Sequence, residues 1–326
     1  MNSRSIPLVG IATLAAALTL SACGGQPAAP APAASGASSG SGSAAASGTV
    51  SSDGSSTVSP LAEAAAAAFA DVEPGIRVTV ATSGTGGGFK KFCAGETDLS
   101  NASRPIKDEE KAACEAAGIA YTEVVIANDG LSVVINPENT WAKCLTVEQL
   151  KKMWAPEAEG KVMTWKQVDP SFPDEKLTLF GAGTDSGTFD YFTLAINGEE
   201  GASRTDYSPS EDDNITVQGV AGEKGALGYF GLSYAEENAD KLVAAQVDGG
   251  KGCVTASVKT VQSGDYTPLS RPLFVYVAHE AYKRAEVKSF VDYFVKNSDA
   301  TAKAAGFVPL TAEQQKTATD ELASIK

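Results

Sequence analysis

Apolar residues recur along this chain with two periods that take turns, one near two and one near 3.6. Alternating or continuous runs rich in β-branched residues predict strands over 49–53, 77–81, 121–127, 131–136, 176–180, 226–230 and 272–278. Helical spacing fills the gaps. Ser59 and Pro60 read as the cap and first position of a helix over 61–70, and a short helix follows the glycines over 89–94. A third helix over 108–117 stops at Gly118. Thr146-Val147-Glu148-Gln149 is a capping box that opens a helix running to Trp154. Further helices are predicted over 188–195 and 216–221. Another over 286–296 places Val287, Phe290, Val291 and Phe294 on one face, and a last one opens at Thr311 with Gln314 three residues on. Helices between strands throughout predict an α/β fold with mostly parallel sheets.

The N-terminus departs from this pattern. Arg4 precedes a mostly apolar run over 8–20, which is the size of a signal-peptide core and short for a bilayer span. The run ends in Leu20-Ser21-Ala22-Cys23, which resembles a bacterial lipobox. That string predicts a signal peptide over 1–22, cleavage before Cys23 and acylation of its sulfur, leaving a body anchored to the membrane by lipid. Residues 24–48 are Gly, Ala, Ser, Pro and one Gln, a composition that cannot bury a core, so 23–48 reads as a flexible tether. Folded structure is expected from about Thr49, with chain enough for two lobes.

Composition narrows the function. The 326 residues carry 26 basic and 40 acidic side chains, a formal charge of −14. Duplex DNA or an anionic membrane surface is a poor general partner for such a chain. Its one histidine, His279, follows the 272–278 strand and reads as a strand-end residue. One histidine rules out a His-rich metal site and argues against a Ser-His-Asp hydrolase. Aromatic residues are 7%, too few to favour a large carbohydrate-stacking platform.

With Cys23 acylated, Cys93, Cys114, Cys144 and Cys253 remain. An even number outside the cytoplasm favours two disulfides, and tight zinc-type spacing is absent. Of the three pairings, Cys93–Cys114 with Cys144–Cys253 is favoured, because the first closes a short loop and the second staples one lobe.

Three loops of small residues join strands to helices: Asp53-Gly54-Ser55-Ser56-Thr57, Thr82-Ser83-Gly84-Thr85-Gly86-Gly87-Gly88 and Gly181-Ala182-Gly183-Thr184-Asp185-Ser186-Gly187-Thr188. Each leaves backbone N–H groups free at a helix start and adds hydroxyl donors, while glycine lets a ligand approach the backbone. Converging, they would hold an anion without many cationic side chains. Neither a Walker A sequence nor a G-x-S-x-G nucleophile elbow is present.

Two charged residues complete the set. Arg104, in Asn101-Ala102-Ser103-Arg104-Pro105, could grip a tetrahedral oxyanion with two N–H donors, or pair with a surface carboxylate. Asp129, in Asn128-Asp129-Gly130, could balance that arginine and accept the proton of a protonated oxyanion, or be a turn residue. Phosphate near neutral pH carries such a proton and sulfate does not, so an acceptor-only group selects phosphate. Asp185 and Asp190 compete for the acceptor role.

These strings together resemble the phosphate-binding lipoproteins of bacterial phosphate ABC transporters, the PstS type. The resemblance rests on Asp53 to Val58, Gly84 to Phe92, Asn101 to Ile106, Gly183 to Phe189, Gly225 to Tyr229 and Tyr266 to Leu273. It implies a type II periplasmic-binding-protein fold: two α/β lobes joined by two crossing strands, with the ligand cleft between them. The crossings are expected near 131–135 and 271–275, giving lobe one as 49–133 plus 272–326 and lobe two as 134–271. The resemblance also implies phosphate contacts from the Ser56 hydroxyl, the Thr57 N–H, Thr85, Ser186, Gly187 and Thr188. The best-known members carry an acidic residue where Ser103 stands and an arginine where Ala182 stands. Arg104 is therefore expected to supply the cation and Asp129 the acceptor.

The function so implied is capture of inorganic phosphate outside the cytoplasm and delivery to an ABC permease for import. The expected state is a monomer, tethered by lipid to the outer face of the cell membrane or its periplasmic side, that needs no cofactor, metal or nucleic acid. A PstS-like phosphatase, or a receptor for another oxyanion such as sulfate, is the alternative. No catalytic residue is assigned, because no nucleophile with a neighbouring base or metal run is visible.

Overall fold

The computed structural model describes residues 47–184 and 186–325. The signal peptide over 1–22, the Cys23 anchor, nearly all of the tether and Asp185 lie outside the described residues.

A single long sheet organises the body. It runs β2 (Ile76–Ala81), β1 (Gly48–Gly54), β3 (Leu99–Ala102), β12 (Ser270–Ala278), β4 (Tyr121–Ile135), β8 (Ala226–Gly231), β6 (Thr178–Ala182) and β7 (Ser208–Ser210). Pairing is parallel among β2, β1 and β3 and among β8, β6 and β7, as expected for helix-linked strands. The two central strands break that rule. β12 runs antiparallel to β3 and to residues 121–130 of β4, and β4 continues into antiparallel pairing with β8 over 131–135. The expected strands 121–127 and 131–136 are therefore one strand of 15 residues. Asn128-Asp129-Gly130 looks like a turn in sequence. It stays extended because β12 pairs it on one side and Asn128 bridges to Val308 on the other.

The remaining short strands, β5 (Cys144–Thr146), β9 (Val243–Ala244), β10 (Gln246–Asp248) and β11 (Cys253–Val254), lie beyond the main path. β9 pairs with the end of β4, and the other three form a small separate sheet.

Helices cover both faces. On one side of β1, β3, β12 and β4, α1 (Ser59–Ala70) packs Leu61, Ala65 and Phe69 against Phe290 and Phe294 of the 285–296 helix. On the other side α2 (Gly84–Cys93) and α3 (Asp108–Ala116) bury Phe89, Phe92 and Cys114 against Phe274 and Tyr276. The second half of the sheet is clad in the same way. α4 (Val147–Trp154), α5 (Trp165–Val168) and α6 (Gly187–Asn197) enclose a core around Trp154, Trp165, Phe192 and Tyr229, and α7 (Asp213–Gly222) covers the opposite face through Val217 and Val220. The large core on the β1 side draws on residues 50–127 and 273–322, while that on the β8 side draws on residues 131–269 and Val308.

α2 starts five residues earlier than its apolar spacing predicts. A Cβ on Gly88 would stand 2.5 Å from the Gly54 Cα, so the helix can lie on β1 only because that position is glycine. The two disulfides are Cys93–Cys114, tying α2 to α3, and Cys144–Cys253, tying β5 to β11. The loops they close differ in length, 21 against 109 residues. In chain-entropy terms such loops are worth about 3 to 5 kcal/mol each.

Candidate functional site

The first two loops meet where β1 and β3 end. Gly54 turns the chain so tightly that a Cβ would fall 2.1 Å from the Asn101 carbonyl, at a φ of +145°. Ser55 N–H donates to that carbonyl at 2.9 Å, and Ser56 and the buried Thr57 follow ahead of α1. Asp53, buried beneath, accepts from the Ser83 N–H at 3.0 Å and the Ser83 hydroxyl at 2.8 Å, and pairs with Lys91. Burial pushes the Asp53 carboxyl up, but Lys91 and the Ser83 donors outweigh it and hold it below the usual carboxylate range. Asp53 is thus a strut that locks the Ser83 loop to the Ser56 loop. Thr85 and Ser103 share a hydroxyl contact of 3.1 Å that brings in the end of β3.

Between these loops lies a cavity of about 230 Å³. One wall consists of Ser55 to Thr57, Ser83 to Gly87, Ser103 and Arg104. Hydroxyls and the N-terminal turn of α2 line the cavity there, so this wall favours anions. The opposite wall is the flank of α6, with Asp190, Tyr191 and Leu194, and then Glu200. Arg271 of β12 completes the lining between the two.

The expected residues divide accordingly. Ser56, Thr57, Thr85 and Arg104 line the cavity together. Ser186, Gly187 and Thr188 stand behind it and brace it. Gly187 packs so closely that a Cβ would lie 2.6 Å from the Thr57 nitrogen, and the Thr57 hydroxyl donates to the Gly187 carbonyl at 3.2 Å. The Ser186 side chain caps α6 by accepting from the Thr188 N–H. Asp129 is not in the lining either. Together with Thr188 it borders a neighbouring cavity of about 500 Å³.

The two arginines are held differently. Arg104 donates to both carboxylate oxygens of Glu110 at 2.8 Å. That fork raises the guanidinium pKa further. Burial pushes the Glu110 carboxyl up, but Arg104 and the Lys107 N–H pull it below its ordinary value. Arg271 is tied to three elements at once. Its Nε donates to Asp129 at 3.2 Å, its Nη1 to the Ser103 carbonyl at 3.0 Å and its Nη2 to the Thr57 hydroxyl at 3.0 Å. The guanidinium also lies 3.6 Å from the centre of the Tyr191 ring. Burial pushes the Asp129 carboxyl up, and the Arg271 charge offsets this only in part.

Arg271 is the arginine of the cavity that sequence reasoning missed. Its signal was weak: one charge in an otherwise apolar stretch at the start of a crossing strand. The third feature is Asp190, which accepts from the Ser56 hydroxyl at 3.1 Å across the cavity. Burial first, and then the nearby Glu200 charge, raise the Asp190 carboxyl above its usual range. A carboxyl so placed can hold or receive a proton facing the anion-binding wall.

Comparison with known proteins identifies the family. A family model of the PBP superfamily domain matches residues 39–298. The protein SphX of Synechocystis sp. is 49% identical over 261 residues, covering 80% of this chain and 78% of the relative. The phosphate-binding protein PstS of Staphylococcus haemolyticus is 40% identical over 321 residues, covering 98% of this chain and 96% of the relative. Among solved structures, the crystal structure of "a possible phosphate binding protein" from Planctomyces limnophilus superposes with a TM-score of 0.82 at 48% identity. It covers 86% of this chain and 99% of its own. On this sequence and fold evidence the chain belongs to the PstS-type phosphate-binding proteins of the PBP superfamily.

Proposed function

We propose that this chain captures inorganic phosphate outside the cytoplasm and hands it to an ABC permease for import. The observation that carries the reading is the pairing of an anion-binding wall with a facing carboxyl. The Ser56 and Thr85 hydroxyls, the Thr57 N–H and the first turn of α2 stand on one side, Asp190 on the other, and Arg271 between them. Phosphate satisfies both, because it accepts from the wall and donates its own proton to Asp190. In this assignment Arg271 is the principal cation and Arg104 a second one, already partly neutralised by Glu110. Asp129 acts through Arg271 by fixing its guanidinium.

We read the chain as two lobes, 49–133 with 272–326 and 134–271, that rotate about the crossing strands to close on the ligand, with Leu131, Val133 and Val308 reaching from the first into the core of the second. Export by the 1–22 signal peptide and acylation of Cys23 would keep the body beside the permease as a tethered monomer. No helix among the described residues is long and apolar enough to cross a membrane.

The Ser56 hydroxyl donates to Asp190, so a phosphatase reading has a nucleophile with a carboxylate beside it. Histidine, the usual stronger base, is far off: His279 bonds Thr122 at the other end of β4. The reading we hold to is therefore binding without hydrolysis.

Calorimetric titration of the ligand-stripped protein with phosphate and then sulfate, at neutral pH, tests the proposal. Micromolar or tighter phosphate binding with little sulfate heat is expected. Equal binding of sulfate, or turnover of a chromogenic phosphate monoester that Ser56→Ala abolishes, would overturn it.

A further inference from the structure

One carboxylate of the cavity has no part in the phosphate reading given above. Glu200 follows the C-terminus of α6, where Gly198 closes the helix in the left-handed conformation, and it lines the cavity together with Arg104. Glu110 and Asp129 are each held by an arginine. Glu200 makes no hydrogen bond or ion pair among the described residues. Its charge nevertheless reaches both Arg104 and Asp190.

The charge balance around the cavity gives this position a consequence. Arg104 offsets Glu110 and Arg271 offsets Asp129, which leaves Asp190 and Glu200 in excess. The groups facing Asp190 are Ser56 from the first loop, Arg271 from β12, Tyr229 from β8 and Glu200 beyond α6. An anion entering here meets two carboxylates. A proton carried on the ligand and donated to Asp190 relieves the repulsion, and Glu200 strengthens the hold on that proton by adding a second negative charge. Sulfate is a dianion at neutral pH and brings no proton, whereas part of the phosphate is the monoanion, which each carboxylate repels half as strongly.

We propose that Glu200 is a specificity-determining residue whose charge favours oxyanions that arrive protonated over those that are fully ionised. The inference rests on the phosphate reading and adds a second, longer-range term to the selection made at Asp190. It acts through space and not through a hydrogen bond, so it has a signature that a structural role lacks: it weakens as salt screens it.

The test is calorimetric titration of wild type, Glu200→Gln and Glu200→Asp with phosphate and with sulfate at neutral pH. Each titration is run at about 10 mM and about 0.5 M KCl, which take the screening length from long to short relative to the cavity. Glu200→Gln is expected to bind sulfate roughly threefold to tenfold more tightly at low salt, the scale of one like charge removed from a half-wet cleft. Phosphate affinity should rise by less than sulfate affinity, because the phosphate monoanion is repelled half as strongly, Glu200→Asp should stay near wild type, and the sulfate gain should shrink at high salt. Sulfate affinity unchanged in Glu200→Gln, or a gain that persists undiminished at high salt, would overturn the proposal. If wild type binds phosphate selectively and Glu200→Gln does not differ from it, only this inference fails. If wild type binds no phosphate, the functional reading fails and takes this inference with it.

Discussion

Arg271 carries two burdens, and removing it should expose both. Its guanidinium supplies the less exposed of the cavity's two arginine charges, and it neutralises the buried Asp129. Arg271→Ala should weaken phosphate binding by at least about 100-fold, and by leaving Asp129 unpaired it should cost about 3 kcal/mol of stability. Titration calorimetry and thermal unfolding measure the two effects separately. Arg104→Ala should cost less, about tenfold in affinity, because Glu110 already holds that charge. Asp190→Asn should keep phosphate binding but narrow the gap between phosphate and sulfate, since an amide can donate to a fully ionised oxyanion. An unchanged ratio would move the acceptor role away from Asp190.

Asp213 makes a pH prediction at the same scale. Burial first, then the charges of Asp212 and Glu211, push its carboxyl up to about 6. A raised acid binds its proton more tightly in the folded chain, so the stability it contributes is present below the ordinary carboxylate pKa and is lost as pH rises to about 6. Asp213→Asn should therefore stabilise the protein at neutral pH, by about 1 to 2 kcal/mol, and leave it nearly unchanged near pH 4. Melting curves of both proteins at the two pH values check this. That Ser56, Thr57 and Thr85 would line the cavity was legible in sequence, because each sits in a loop whose composition announces a helix start. Arg271 was not, because its three polar partners lie 142, 168 and 214 residues away along the chain.

Among the elements, strands and amphipathic helices were largely legible, and the departures share one physical cause. The stretch from Gly84 to Gly88 has poor helix propensity, yet it forms the first half of α2. Tertiary contact decides the matter, because the helix must lie directly on β1 and only glycine leaves room. Asn128-Asp129-Gly130 similarly has the local preferences of a turn, and pairing on both sides keeps it in β4. The short strands β5, β10 and β11 have too few residues to show a period, and the Cys144–Cys253 bond joins two of them. Gly88→Ala should push α2 off β1 through contacts of 2.5 Å to Gly54 and 2.9 Å to the Asp53 carbonyl. Because the same helix carries Thr85, the variant should lose stability by about 1 to 3 kcal/mol and phosphate affinity with it. An affinity loss without a fall in melting temperature would contradict this coupling.

For the whole molecule, the central question is how a chain with a net charge of −14 collects an anion. The long-range field opposes the approach of phosphate, while the short-range donors of the cavity and Arg271 favour it once it has entered. Screening separates the two, because salt at physiological strength confines the field to about 8 Å while leaving contacts inside a cleft nearly untouched. Association should therefore speed up as salt is added, by a few-fold between about 10 mM and 150 mM, and dissociation should hardly change. This is the reverse of the usual behaviour of oppositely charged partners, whose encounter slows with salt. Stopped-flow fluorescence distinguishes the cases, with Trp154 and Trp165 in the core on the β8 side as candidate reporters of lobe closure. An association rate that falls with salt would mean that the cavity mouth itself attracts anions despite Asp190 and Glu200. The excess of carboxylates at that mouth could not then be what selects the ligand.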